Sequence, residues 1–249
     1  MDADLWLFLL AGIAGGAVNA AAGGAKLFVF PLLMAAGLPP LMANATGTVA
    51  LWPAQFTATL AYRRHLKDFR PLALRLLPAL FGAFAGACAL ILSSERFFEA
   101  VIPFVLVLAV LAIALGNRTA VFLRQVVPAE RMAGLSFVLM FAAGFYGGFF
   151  GAGLGFLIVA ILLVTEAHPI NRANAEKNLV AFSINTTAVA PLALSGLVDW
   201  RAAAGVIAGG LVGGYLGAVV ARSLPETLLR IGVAAMGCFL TLAFLYANG

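Results

Sequence analysis

Apolar residues fill this chain in runs of helix length, and polar residues cluster briefly between them. Runs at about 45–62, 72–92, 98–115, 178–197, 202–221 and 228–247 each approach the roughly 20 residues that cross a bilayer core. Two further stretches, 5–36 and 135–166, are too long for one ordinary span. Glycines interrupt both: Gly23-Gly24 in the first, and Gly147, Gly148, Gly151, Gly153 and Gly155 in the second. Each reads either as one kinked span or as a re-entrant hairpin that enters and leaves on the same side. Irregular backbone at membrane depth is tolerated where protein or a water-filled cavity surrounds it.

The pattern repeats. AGIAGGAVNAAAGG from Ala11 has a counterpart in AGFYGGFFGAGLG from Ala143. Gly12, Gly15, Gly16 and Gly23 recur 132 residues later as Gly144, Gly147, Gly148 and Gly155. Ala43-Asn44-Ala45 recurs after 130 residues as Ala173-Asn174-Ala175. Asp68, Arg70, Gly82, Gly86 and Glu95 recur after 131 as Asp199, Arg201, Gly213, Gly217 and Glu226. Small loop insertions account for the drift. Two glycine-broken halves in an apolar chain are the mark of a secondary transporter with its site between the repeats.

Composition agrees. The chain is 63% hydrophobic and 10% charged, against roughly 25% charged in soluble domains. It reads as one membrane domain over 1–249, with repeat one at 5–116, a cytoplasmic linker at 117–132 and repeat two at 133–249. Its net charge of +5 does not point to nucleic acid, because the basic residues lie in short loops where they set topology. Met1-Asp2-Ala3-Asp4 lacks the basic start of a secretory signal. Lys26 lies within the membrane; the other basic residues test the topology. Eight ordinary spans put nine of them inside and five outside. Two hairpins plus six spans, with the N-terminus outside, leave only Arg96 and Arg201 outside, which the positive-inside bias prefers. Each repeat then crosses three times, so the second is inverted. The fold class is therefore an all-α integral membrane protein of two inverted repeats, each a glycine-broken re-entrant hairpin plus three transmembrane helices, with eight ordinary spans as the alternative.

Polar groups at membrane depth are costly and ask for a reason. Lys26 follows Gly23-Gly24-Ala25 at the hairpin tip. It serves either to attract an anion beside free helix N–H groups or to pair with an acid or snorkel. Asn19 either donates to an anion or caps a broken helix; its counterpart is Gly151. Asn44, Thr46 and Thr48 open the second element of repeat one, and Glu176, Lys177 and Asn178 that of repeat two, as an anion cradle or as N-caps. Gln55, Thr57 and Thr59, with Ser183, Asn185, Thr186 and Thr187, line the site or hydrogen-bond between helices. Gly23, Gly24, Gly151, Gly153 and Gly155 complete the substrate-binding set. Glu176 is the proton-coupling candidate, or else a surface ion pair with Lys177. Asp199 and Asp68 read as helix N-caps. Gly82-xxx-Gly86 and Gly209-xxx-Gly213-xxx-Gly217 read as close-packing faces. Cys88 and Cys238 read as packing residues. No H-E-x-x-H, C-x-x-C or convincing Ser/His/Asp set occurs, so no enzyme, metal site or cofactor is expected.

GGAVNAAAGGAKLFVFPLLMAAGLPPLMANATGT, and in the second half GFYGGFFGAGLGF with ANAEKNLVAFSINTTAVAPLALSGLVDW, resemble the TauE/SafE (sulfite exporter, TSUP) family of membrane transporters. The resemblance covers nearly the whole chain. It implies transport of sulfur-containing anions (sulfite, thiosulfate, sulfoacetate and other sulfonates) coupled to the proton gradient. The family often has three or four consecutive glycines where this chain has Gly23-Gly24-Ala25-Lys26. The expected protein is a multi-pass transporter of the cell (plasma or inner) membrane, with a small anion, protons and the lipid bilayer as its partners. The rival readings are a passive anion channel of the same fold and a carrier of a non-sulfur carboxylate.

Overall fold

The computed structural model describes residues 3–22, 24–62, 69–165, 170–221, 231 and 235. The described residues form helices and no strands. The first half of the chain, expected as repeat one, holds α1 (Ala3–Ala22), α2 (Lys26–Ala35), α3 (Pro40–Tyr62), α4 (Phe69–Leu92) and α5 (Glu95–Val126), the last running past 116. The second half, expected as repeat two, holds α6 (Ala129–Phe149), α7 (Leu154–Thr165), α8 (Ile170–Leu194) and α9 (Trp200–Ala221). Five of the six expected apolar runs are thus single helices, and 228–247 lies outside the described residues. The stretch 117–132 is helical to Val126 and again from Ala129. Two described segments, Glu95–Leu115 and Glu130–Phe149, are long and apolar enough to cross a membrane on their own. Inward-facing polar residues lower the hydropathy of α3 and α8.

Both glycine-rich stretches break into a long helix and a short one. At about 1.5 Å per residue, the 10 residues of α2 and the 12 of α7 cover roughly 15 and 18 Å, half of a bilayer core. Val29 of α2 lies on Gly15 of α1, so the short helix packs back along the long one. The α6–α7 break turns through Gly151 (φ +77°) and Gly153 (φ +70°), a left-handed conformation that favours glycine. Tyr146 braces that turn by donating its hydroxyl to the Ala152 carbonyl.

The close-packing faces read from the glycine spacing are present at Gly82, Gly86, Gly209 and Gly213, while the packing of Gly217 lies outside what is described. Gly82 and Gly86 of α4 lie on the backbone of α6 at Phe141 and Phe145, while Gly144 and Gly148 of α6 lie on α4 at Ala79 and Ala83. Likewise Gly12 and Gly16 of α1 meet α9 at Val206 and Gly210, and Gly209 and Gly213 of α9 meet α1 at Leu9 and Ile13. Exchanging the repeats turns one pair into the other. Without a strong hydrophobic drive between helices in lipid, such close approach supplies the packing energy. Large apolar side chains such as Phe81, Phe84, Phe104 and Leu211 are exposed on the outside, as lipid solvent permits.

At the centre, α3 and α8 cross antiparallel. Trp52 donates Nε1–H to Thr186 Oγ1 at 2.8 Å and stacks on Phe182 (centroids 6.1 Å apart, 15° between planes). Thr59 donates to the Asn178 carbonyl at 3.2 Å. Partner numbers therefore fall along α8 as they rise along α3.

Candidate functional site

One polar cavity, of about 50 Å³, sits where the two helix breaks meet the α3–α8 crossing. Its lining includes Asn19, Lys26, Thr48, Gln55, Gly151, Gly155, Lys177, Asn178 and Asn185, nine of the residues expected from sequence. Ala25, Leu51, Leu154 and Ala181 complete the wall. The starts of α2 and α7 both abut it, with most of their first N–H groups already taken: Leu27 and Phe28 donate to the Gly24 and Ala25 carbonyls, and Leu154 and Phe156 to those of Gly151 and Gly153.

Lys26 is 7% exposed. Its ammonium donates to Thr48 Oγ1 and lies 5.6 Å from the centre of the Phe150 ring. Thr48 in turn donates to the Asn44 carbonyl at 2.8 Å. Among the described residues Lys26 meets a hydroxyl and a ring face but no carboxylate. Among these residues it has no acid partner, and its burial keeps the ammonium inside the protein. Phe150 is held by Phe30 edge to face, with centroids 5.3 Å apart, so the ring beneath the ammonium is fixed by core packing.

Gln55 and Asn185 occupy equivalent positions in the two repeats and meet across the crossing. Asn185 Nδ2 donates to Gln55 Oε1 at 2.8 Å and to the Ala181 carbonyl at 2.9 Å. They hydrogen-bond between helices and line the cavity at once. Ser183 and Thr187 instead donate to carbonyls of their own helix. The Thr57 side chain and Gly23 lie outside the described residues, as do Cys238, Asp68 and Glu226.

Several expectations need correction. Residues 44–48 and 176–178 do not open their helices, because α3 starts at Pro40 and α8 at Ile170. They offer neither a cradle of free N–H groups nor N-caps. Asn44 is fully buried, does not line the cavity, and donates Nδ2–H to the carbonyl of Phe149, the last residue of α6, at 2.8 Å. Thr46 accepts the Asp199 N–H at 3.0 Å, tying α3 to the start of α9. Asp199 is the N-cap foreseen for it, accepting from Ala202 N at 2.9 Å. Glu176 is 5% exposed, so it is not half of a surface ion pair, and it lies off the cavity wall beside Lys177. Gly24 is buried behind the wall, and Gly153 faces Ala109 and Ile113 of α5.

Sequence reasoning missed Leu51, Ala181, Ala25 and Leu154 because apolar residues in apolar helices carry no chemical signal. The repeat register holds a clue, since it pairs Leu51 with Ala181 on the helix face shared by Thr48, Gln55, Asn178 and Asn185. The Asn44 bond gives a direct prediction. Asn44→Ala strands a buried carbonyl and is expected to lower stability by about 1–2 kcal/mol. Thermal unfolding in detergent would measure it.

Comparison with known proteins agrees with this architecture. The family profile described as "Sulfite exporter TauE/SafE" matches residues 8–244. A probable membrane transporter protein of Haemophilus influenzae is 27% identical, covering 99% of this chain and 98% of the relative. The probable membrane transporter protein YfcA of Escherichia coli is 26% identical over 96% of this chain and 88% of its own length. The probable membrane transporter protein ORF9 of a Sinorhizobium species is 29% identical over 86% and 80%. No solved structure matches the chain.

Proposed function

The chain belongs to the TauE/SafE family of membrane transporters, and from that premise we propose that it is a proton-coupled secondary transporter of small sulfur-containing anions. The observation that carries this reading is the Lys26 ammonium: buried, with no carboxylate partner among the described residues, on the wall of a cavity rich in amides and a hydroxyl. A buried charge without a partner is costly. A bound oxyanion would supply the missing charge and accept from Lys26, Asn19, Gln55, Asn178 and Lys177. The helix starts of α2 and α7 would add favourable dipoles.

The antiparallel crossing of α3 and α8, which are repeat counterparts, supports an inverted arrangement. The half-span lengths of α2 and α7 support re-entrant hairpins. Rocking of one repeat against the other around the crossing would then expose the cavity to each side in turn. The protein would sit in the cell (inner) membrane as a multi-pass protein with both termini outside. Glu176, buried next to Lys177, is the candidate carrier of the coupled proton.

Reconstituted vesicles test this. Uptake of sulfite or thiosulfate that rises with an imposed proton gradient is the expected result. Flux indifferent to the gradient, with single-channel currents, would replace the transporter by a channel. Transport of a carboxylate with no response to any sulfur anion would refute the substrate class. A reporter fused after Gly249 is expected to be active only outside the cell, and cytoplasmic activity would refute the topology.

A further inference from the structure

We propose that Leu51 is the residue that limits the cavity to a compact inorganic oxyanion and shuts out anions that carry a carbon arm. The inference rests on the anion-transport reading and refines it. A buried water needs about 10–15 Å³ on the scale used for cavities of this kind. The cavity of about 50 Å³ is a few times that minimum and about a third of the roughly 150 Å³ that takes up a six-carbon ring, so it favours the most compact anions. Sulfite, thiosulfate and sulfate are of that kind. Sulfoacetate and taurine are not.

The repeats show which wall sets this limit. α3 and α8 present three counterpart pairs to the cavity: Thr48 with Asn178, Leu51 with Ala181, and Gln55 with Asn185. The outer pairs match in polarity. The middle pair does not match in size: Leu51 projects where its counterpart stops at Cβ. Leu51 is only 5% exposed, and its Cδ2 reaches towards α1, 3.6 Å from where a Cβ on Gly15 would stand. The other large apolar wall, Leu154, is wedged against Gly147 at the start of α7, where the turn through Gly151 and Gly153 fixes it. Truncating Leu51 to the size of Ala181 removes three carbons beside the donors while leaving Lys26, Gln55 and the amides in place. A taurine amine would also find no carboxylate among the described wall residues, since Glu176 stands off the wall.

The test is binding by purified full-length protein, read as thermal stabilisation by thiosulfate and by sulfoacetate, with vesicle uptake of the same two anions. The wild type is expected to respond to thiosulfate and not to sulfoacetate. Leu51→Ala is expected to shift the sulfoacetate-to-thiosulfate affinity ratio by at least about tenfold, the scale of a few methylenes in a pocket. Ala181→Leu fills the space from the other side and is expected to weaken thiosulfate at least about tenfold, with its unliganded melting temperature little changed. This variant also guards against Leu51→Ala failing to fold. A wild type that takes both anions equally overturns the size limit. So does an unchanged ratio in Leu51→Ala, or undiminished thiosulfate binding in Ala181→Leu; in each case the anion reading stands. A wild type that responds to neither anion overturns the underlying reading together with this one.

Discussion

Lys26→Met is expected to abolish most anion transport while leaving the protein as stable as before or more so. The two effects have separate causes. With an anion bound, the ammonium is half of a desolvated charge pair, and losing such a partner costs about 2–5 kcal/mol, a drop of roughly 30-fold to several thousand-fold in affinity. With the cavity empty, the same ammonium is a buried charge whose contacts among the described residues are the Thr48 hydroxyl and the Phe150 ring. Replacing it by an apolar chain of similar length removes that penalty. Flux in vesicles and melting temperature in detergent should therefore move in opposite directions, or flux alone should fall. A residue that merely held the fold would lower both. Unchanged flux in Lys26→Met would remove Lys26 from the site.

Gly82→Val is expected to prevent folding altogether. A Cβ at this position would strike the Phe141 carbonyl and lie 2.8 Å from the Phe145 amide nitrogen. Both are backbone atoms of α6, so no side chain can turn aside. The α4–α6 axes would have to separate along the whole crossing, and the contacts at Gly86, Gly144 and Gly148 would go with it. A loss of at least about 3 kcal/mol is expected, beyond the common range for overpacking because the backbone must yield. Folded yield by size-exclusion chromatography is the readout. Gly134→Ala on the same helix α6 is the control: nothing lies within 4 Å of its Cβ position, and the higher helix propensity of alanine should leave yield unchanged or improved. A normal yield from Gly82→Val would mean that the close crossing is not what holds the repeats together.

Much of this was legible in the chain because spacing survives folding. Glycines four apart lie on one helix face whatever the tertiary structure, and their recurrence after about 131 residues paired α1 with α6 and α4 with α9 as counterparts. The polar positions in α3 and α8 were legible for a similar reason. An amide or hydroxyl inside an apolar helix must face protein or water, and Gln55, Asn178 and Asn185 do.

Other assignments failed because the sequence marks a polar residue without saying which neighbour receives it. Asn44 and Thr46 look like a helix opening, yet the helix begins at Pro40, a turn earlier, so both sit within it. Asn44 then meets an orphaned carbonyl of α6, and Thr46 meets the backbone of Asp199, each more than a hundred residues away. Glu176 beside Lys177 reads as a surface pair only until the packing of α8 buries it. The apolar wall of the cavity had no sequence signal at all.

By itself, then, the sequence determined the membrane class, the recurring glycine and polar spacing, the helical segments and the polar residue types available to a site, since these depend on local composition and period. Only the tertiary structure decided which of those groups share a cavity, that Lys26 meets no carboxylate among the described residues, and that Leu51 stands on the wall beside the polar groups. Those are facts of long-range proximity. They depend on where helices cross, and helix crossings are set by the summed packing of both repeats.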